Sequence, residues 1–111
     1  MNRPDIYKIT VGGLALLALA MFAYPCLRVG TGLEIDYNEG WNAYFQVRAM
    51  SGASLYSPDL AMFVNNYPPL SFYLVGGFGT LVGDMVLAGR LLSLAAVAVI
   101  AVSAALVARE A

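Results

Sequence analysis

Residues 9–27 read ITVGGLALLALAMFAYPCL, a run of nineteen residues without a charged side chain. A helix of this length extends about 28 Å, which nearly matches the roughly 30 Å hydrocarbon core of a bilayer. Arg3 and Lys8 precede the run, so a cleaved signal peptide is the competing interpretation, although the run is longer than the usual signal core. We therefore predict a membrane span over residues 9–27, with residues 1–8 as a cytoplasmic N-terminus.

The whole chain has the composition of a membrane protein. Of its 111 residues, 60% are hydrophobic and 12% are charged, whereas a soluble domain carries about 25% charged residues. The net charge is −1, and the six basic residues are scattered singly, which excludes a basic stripe for nucleic acid. One cysteine and no histidine exclude an intramolecular disulfide and the usual zinc sites, so only an oxygen-liganded divalent cation remains as a possible metal.

Two further membrane spans are predicted in the second half of the chain. Pro68-Pro69 can open a helix, because the first helical turn has no internal partner for its N–H groups. One span therefore covers residues 69–86. The other covers residues 90–108, where residues 91–108 carry no charge, and a tight reversal between Gly83 and Arg90 separates the two. The predicted fold class is all-α, with about three transmembrane helices.

Small residues recur one turn apart in these spans, as Gly79-x-x-x-Gly83 and Ala101-x-x-x-Ala105. This spacing allows helices to approach closely in lipid and favours contact with other transmembrane helices. The alternative is that these residues only fill a lipid-facing surface.

Residues 28–68 form a polar connection between the first two spans. An amphipathic helix is predicted over about 38–50, with Glu39, Asn42 and Gln46 as a polar stripe and aromatic residues around the rest, lying along the membrane interface. The basic residues and free amine before the first span favour a cytoplasmic N-terminus and an extracytoplasmic loop. The chain is thus predicted to lie in the cytoplasmic (inner) membrane as a multi-pass protein, with Arg90 as a topology anchor on the side opposite the loop.

Four of the seven carboxylates lie in this loop: Glu34, Asp36, Glu39 and Asp59. Asp36 and Glu39 are three residues apart, which is the spacing of a reciprocal capping box at a helix N-terminus. The alternative is that one of them takes a proton from an attacking hydroxyl as a general base. Glu34 and Asp59 are interpreted as solvated loop charges.

Other loop residues are suited to binding a substrate. Trp41 and Tyr67 can stack on a sugar ring, and Asn42 can hydrogen-bond to one. Arg48 can pair with a phosphate in a bidentate way, or it can extend toward lipid headgroups.

Four blocks of this sequence, taken in order, resemble the N-terminal part of GT-C type membrane glycosyltransferases over about residues 8 to 108. The branch it resembles most includes bacterial lipopolysaccharide-modifying sugar transferases, and protein O-mannosyltransferases are more distantly similar. The blocks are Asp36-Tyr37-Asn38-Glu39-Gly40-Trp41-Asn42-Ala43-Tyr44, Gly52-Ala53-Ser54-Leu55-Tyr56, Tyr67-Pro68-Pro69-Leu70-Ser71-Phe72-Tyr73 and Gly89-Arg90-Leu91-Leu92-Ser93.

The resemblance implies an enzyme that transfers a sugar from a polyprenyl-phosphate carrier to an acceptor hydroxyl outside the cytoplasmic membrane. Its first outer loop would carry the base, and either Asp36 or Glu39 matches that position. Members of the family have around ten or more spans, so the resemblance implies that this chain is a portion of a longer enzyme, inactive alone, whose partners include the remaining transmembrane helices. The alternative is a small membrane protein without chemistry that packs against a larger membrane partner.

Overall fold

The computed structural model describes residues 3–60 and 65–110, and within them the fold is all-helical, as predicted. The α-helices are α1 (Arg3–Arg28), α2 (Tyr37–Met50), α3 (Leu70–Val82) and α4 (Met85–Glu110), and a short 3-10 helix covers Pro58–Leu60. The chain divides into two units, Met1–Gly30 and Thr31–Ala111. The sequence also predicts a short apolar segment from Leu60 to Val64, and most of it lies outside the described residues.

The first unit consists of α1. Residues Asp5–Arg28 form a helix of mean hydropathy 1.9 whose apolar window is entirely unburied. Arg28 lies in the last turn, where a cation is favoured by the helix dipole, and its guanidinium donates a hydrogen bond to the Tyr24 hydroxyl. This helix is long and apolar enough to cross a membrane.

The second unit has a core where α2, α3 and α4 pack on one another. The main cluster of buried hydrophobic side chains consists of Phe45, Ala49, Leu55, Leu60 and Phe72, with Trp41 and Met50 packed against it, and Ala88 of α4 is also buried. Gly76 in α3 permits the close approach of α2, because a Cβ atom there would lie 3.1 Å from the Gln46 carbonyl oxygen. The loop helix predicted over about 38–50 is present as α2.

The reversal between α3 and α4 falls at residues 83 and 84. Gly83 ends α3 with a φ of 85° and donates its N–H to the Gly79 carbonyl over 2.8 Å; this left-handed conformation favours glycine. The Asp84 carboxylate then accepts the Leu87 N–H over 2.9 Å and caps α4. Helix α4 therefore begins five residues before the predicted start at Arg90.

Two helices in the described part of the chain are candidates to span a membrane, α1 and α4, and the window of α4 has a mean hydropathy of 2.6 and is unburied. Helix α3 is apolar but only thirteen residues long, about 20 Å, which is short of the hydrocarbon thickness. The predicted span over 69–86 is therefore not among the candidates, and the arrangement with three spans stays a prediction.

The orientation of α2 differs from the predicted one. Gln46, in the predicted polar stripe, is buried, and Glu39 and Asn42 are half-buried, whereas Tyr44 and Val47 are exposed. The polar stripe of α2 thus faces protein, because Phe45 and Ala49 on neighbouring positions fill the core between α2 and α3.

Candidate functional site

Asp36 is the N-cap of α2. Its backbone is extended, with φ −137° and ψ 142°, and Oδ1 accepts hydrogen bonds from the Asn38 backbone N–H over 2.8 Å and from Asn38 Nδ2 over 2.7 Å. This arrangement satisfies one of the free N–H groups of the first helical turn. Asp36 is exposed, and its second oxygen, Oδ2, accepts no hydrogen bond from the described residues. The carboxylate that caps the helix therefore has one oxygen open to solvent.

Glu39 lies in the third position of α2 and forms an ion pair with Arg90 of α4. Arg90 Nε donates to Glu39 Oε1 over 2.9 Å, and Arg90 Nη2 donates to Glu39 Oε2 over 2.8 Å. The Glu39 side chain is 23% exposed and the Arg90 side chain is 10% exposed. Two parallel hydrogen bonds between a guanidinium and a carboxylate form the strongest common type of ion pair.

Glu39 also completes the cap of its own helix. Its Oε2 accepts the Ile35 backbone N–H over 2.7 Å. The predicted capping box is formed only in part: the Asp36 side chain caps the helix through Asn38 rather than through the Glu39 N–H, and the Glu39 carboxylate returns to Ile35, the residue before the cap. Both oxygens of Glu39 are occupied, unlike those of Asp36.

The electrostatics of Glu39 follow from these contacts. The hydrogen bonds from Arg90 are the largest cause that lowers the pKa of Glu39 from 4.5 to about 2, and the Ile35 N–H acts in the same direction. Partial burial opposes them without cancelling them. A carboxylate with so low a pKa is a weak proton acceptor near neutral pH. The structure therefore separates the two acids that the sequence left equivalent, because Glu39 is ion-paired through both carboxylate oxygens and Asp36 is not.

Arg90 also holds the loop that precedes α2. Nη1 donates to the Thr31 carbonyl over 2.6 Å, and Nη2 donates to the Leu33 carbonyl over 2.8 Å. The prediction that Arg90 anchors the side of the membrane opposite the loop is wrong, because its guanidinium contacts the loop directly. Charge counting along the sequence could not find this role, because Arg90 lies 51 residues after Glu39.

Glu34 lies closer to the site than its interpretation as a solvated loop charge implies. Its side chain is exposed, but its carboxylate rests over Gly40 in the first turns of α2, in space that any side chain at position 40 would occupy. Three acids, Glu34, Asp36 and Glu39, therefore surround the N-terminus of α2, where the helix dipole favours negative charge. The side chain of Asp59 lies outside the described residues.

The aromatic residues predicted to bind a sugar are brought together. The Trp41 ring is half-buried and lies 5.5 Å from the Tyr67 ring, edge to face, while Tyr67 is 55% exposed. Trp41 also packs 4.5 Å from Phe45 and 6.1 Å from Phe72. Trp41 therefore belongs largely to the core, and Tyr67 is the ring that reaches solvent.

Arg48 lies at the other end of α2, nine residues from Glu39, about 14 Å along the helix axis. Its Nε and Nη2 atoms donate to the Ser54 carbonyl over 3.1 and 2.8 Å, and Nη1 donates to the Tyr44 hydroxyl over 3.4 Å. The guanidinium thus supports the turn after α2. Its predicted role as a phosphate ligand stays a prediction.

Two buried polar atoms lie near these residues without a hydrogen-bond partner in the described part of the chain, Gln46 Oε1 and Asn65 Nδ2. The other amide atom of Asn65, Oδ1, accepts the Tyr67 N–H over 3.0 Å. No group of three or more His, Cys, Asp or Glu side chains converges among the described residues, so these residues offer no ligand set that fits the divalent cation considered above.

Within the described residues, the protein is all-helical and has two helices long and apolar enough to cross a membrane. An acidic loop follows the first of them in the sequence, and the ion pair between Glu39 and Arg90 holds this loop. Comparisons of the chain with protein-family models, with curated proteins and with solved structures find no match. The function therefore rests on the geometry of the site and on the resemblance noted in the sequence.

Proposed function

We propose that this chain belongs to a GT-C type membrane glycosyltransferase and supplies the loop that carries the general base, Asp36. One observation carries the choice of residue. Asp36 is exposed with Oδ2 open, whereas Glu39 is bound through both oxygens to Arg90. The remainder of the active site would come from further transmembrane helices, to which the unburied surfaces of α1 and α4 offer apolar contact.

In this reaction the Asp36 carboxylate accepts the proton of an acceptor hydroxyl. The hydroxyl oxygen forms a bond to the anomeric carbon of the sugar, and the bond from that carbon to the phosphate oxygen breaks. The polyprenyl phosphate leaves with the electron pair. General-base assistance of this kind contributes about 10²- to 10⁴-fold to a rate.

The cap at Asp36 and the aromatic ring of Tyr67 each suit a part of this reaction. The helix N-terminus holds Oδ1 in place through the Asn38 N–H and side-chain amide, so the carboxylate has a fixed position while Oδ2 remains accessible. Tyr67 offers an exposed ring edge-on to Trp41, on which the apolar face of a sugar can stack. We further propose an extracytoplasmic location for the loop in an inner membrane, on the charge argument given above.

The test compares Asp36→Asn with Glu39→Gln in membranes of cells that express the chain with its natural assembly. The substrates are radiolabelled polyprenyl-phosphate hexoses and pentoses. Asparagine is as good an N-cap as aspartate, so Asp36→Asn keeps the helix while removing the base. We expect transfer to fall at least 100-fold in Asp36→Asn and to persist at a reduced level in Glu39→Gln.

Glu34→Gln serves as the matched control, since it removes a neighbouring carboxylate without touching the cap or the ion pair. Full transfer by Asp36→Asn together with its loss in Glu39→Gln would contradict the assignment of the base. Absence of transfer by the wild-type assembly with every donor would contradict the glycosyltransferase function itself.

A second candidate function rests on the apolar helices alone and gives the acids no role. The apolar windows of α1 and α4 are both unburied within the chain, as expected for a non-catalytic membrane subunit that packs against a larger partner. This function predicts that Asp36→Asn and Glu34→Gln behave alike. It also predicts that leucine at Ala101 or Ala105 prevents co-purification of the partner, because bulky residues block close helix packing.

A further inference from the structure

We infer that Arg90 is a positioning residue for Asp36, acting through the loop of residues 31–36 rather than by binding substrate; this inference rests on the proposed function. Arg90 belongs to α4, and Asp36 begins α2, so a residue 54 positions further along the chain would set the position of the base.

The loop of residues 31–36 contains no regular secondary structure, and its residues are exposed. It cannot fix its own position, because an exposed segment without a hydrogen-bond ladder samples many backbone conformations. Arg90 supplies long-range contacts to it, at the Thr31 and Leu33 carbonyls, which are separated from Arg90 by 59 and 57 residues. These two carbonyls lie five and three residues before Asp36.

Glu39 makes this contact possible. The guanidinium is planar and can use its donors in fixed directions, and Glu39 occupies Nε and one Nη2 direction. One N–H of Nη1 and the second N–H of Nη2 are directed at the two loop carbonyls. Glu39 also accepts a hydrogen bond from the Ile35 N–H. The loop is therefore held by two charged groups, by the Arg90 guanidinium at residues 31 and 33 and by the Glu39 carboxylate at residue 35.

Asp36 follows directly after this clamped segment. Its Oδ1 is oriented by Asn38 in α2, and its main chain continues from Ile35, which Glu39 holds. A displacement of about 1 Å at a reacting group can reduce a rate roughly 100-fold. The ion pair between Glu39 and Arg90 therefore fixes the main chain that leads into Asp36, while the helix cap orients its carboxylate, and neither partner of the ion pair needs to touch a substrate.

The donors of Arg90 are used by protein groups, which argues against a direct role in binding the donor phosphate. The side chain is 10% exposed, and three of its nitrogens form the four hydrogen bonds described. A phosphate would have to displace Glu39 or the two loop carbonyls before it could bind.

The first measurement follows the loop without any enzymatic assay. A nitroxide spin label is attached at Leu33→Cys, an exposed position, in a full chain that carries Cys26→Ala, and its mobility is read from the electron paramagnetic resonance spectrum. We expect Arg90→Gln to increase the mobility clearly. Arg48→Gln is the matched control, since it removes a guanidinium that holds a different carbonyl, that of Ser54, and it should leave the spectrum unchanged.

Fluorescence emission from Trp41, the single tryptophan, shows whether Arg90→Gln is folded. If it is not, Arg90→Lys provides a second variant that tests the inference. Lysine keeps the charge but is a point donor that cannot bridge two carbonyls and two carboxylate oxygens. An intermediate mobility is expected. Equal spectra for the wild type, Arg90→Lys and any folded Arg90→Gln would overturn the inference.

The second measurement uses transfer kinetics in the assembled enzyme with a polyprenyl-phosphate sugar as the probe. We expect kcat to fall about 10- to 100-fold in Arg90→Gln, with KM for the donor within about 2-fold, because positioning of the base affects the transition state. Arg109→Gln, in the last turn of α4, should retain full activity. A raised donor KM with unchanged kcat would show that Arg90 binds the donor and would overturn the inference.

The two measurements separate the inference from the proposed function. If the wild-type assembly transfers no sugar, the proposed function fails, while the spin-label result still decides whether Arg90 fixes the loop. If transfer requires Asp36 but Arg90→Gln changes neither the mobility of the spin label nor kcat, the proposed function stands and the inference fails.

Discussion

The two ends of α2 are each held by an arginine, but the contacts differ in reach and in charge. At the C-terminal end, Arg48 binds the Ser54 carbonyl only six residues away. At the N-terminal end, Arg90 binds Glu39 and two loop carbonyls between 51 and 59 residues away. The first contact stabilises a local turn, whereas the second connects α2, α4 and the loop. The end with the carboxylates is therefore the end whose geometry depends on tertiary structure.

The largest expected difference between the two ends is in stability. Removing Arg90 leaves Glu39 as a partly buried charge without its counterion, whereas removing Arg48 leaves one exposed carbonyl that water can reach. We expect Arg90→Gln to lower the free energy of unfolding by about 3 kcal/mol and Arg48→Gln by about 1 kcal/mol. Unfolding in detergent, followed by Trp41 emission, gives both values. Equal losses would remove the distinction between the ends.

Lowering the pH should reduce the stabilisation at the N-terminal end of α2, where Glu39 lies, but not at the C-terminal end, where Arg48 lies. The pKa of Glu39 is about 2 in the folded protein, against 4.5 for the free group, so its contribution to stability is present above about pH 4.5 and is lost as the pH falls through 2. After allowance for solvent screening we expect a loss on the order of 1–2 kcal/mol. It is measured as the difference between the wild type and Glu39→Gln across this range.

The other carboxylates are present in both proteins, so their contributions to the pH dependence cancel in that difference. A wild-type and a Glu39→Gln curve that run parallel from pH 5 to pH 2 would show that Arg90 does not stabilise the ionised form of Glu39.

The smallest expected effect concerns Gly40, which gives room to the Glu34 carboxylate. A methyl group at this position would move an exposed, flexible side chain, while alanine favours the helix over glycine by up to about 1 kcal/mol. We therefore expect Gly40→Ala to raise the free energy of unfolding by about 0.5 kcal/mol. The same unfolding measurement checks it, with Gly40→Ala in a Glu34→Gln background as control. A loss above about 1 kcal/mol would show that Glu34 is held rigidly at the N-terminal end.

Local features of this fold followed from the sequence. The apolar runs at 9–27 and 91–108 predicted two of the helices, because a long run without charge has few alternatives to a helix of membrane length. The cap at Asp36 and the position of α2 were also predictable, since a capping residue acts within three positions of itself.

The small-residue spacing in α3 was interpreted less well. Gly79 does allow the close approach of another helix, because Met85 of α4 fills the space beside it, whereas Gly83 has a different role and ends α3 with a positive φ. Glycine serves close packing, helix termination and lipid exposure alike. The spacing of the glycines alone therefore could not distinguish among these roles. Helix α3 ends at Val82, before the predicted bound at residue 86, because Gly83 terminates it.

The sequence by itself determined the all-helical class, the apolar helices and the acidic loop, because each depends on residues close together in the chain. Only the tertiary structure decided which acid is paired with a cation. Arg90, 51 residues away in the sequence, contacts Glu39 because α2 packs on α3 and α4. The pattern of charges left Asp36 and Glu39 equivalent. The approach of one guanidinium made them different, by lowering the pKa of Glu39 while leaving Asp36 open at the helix N-terminus.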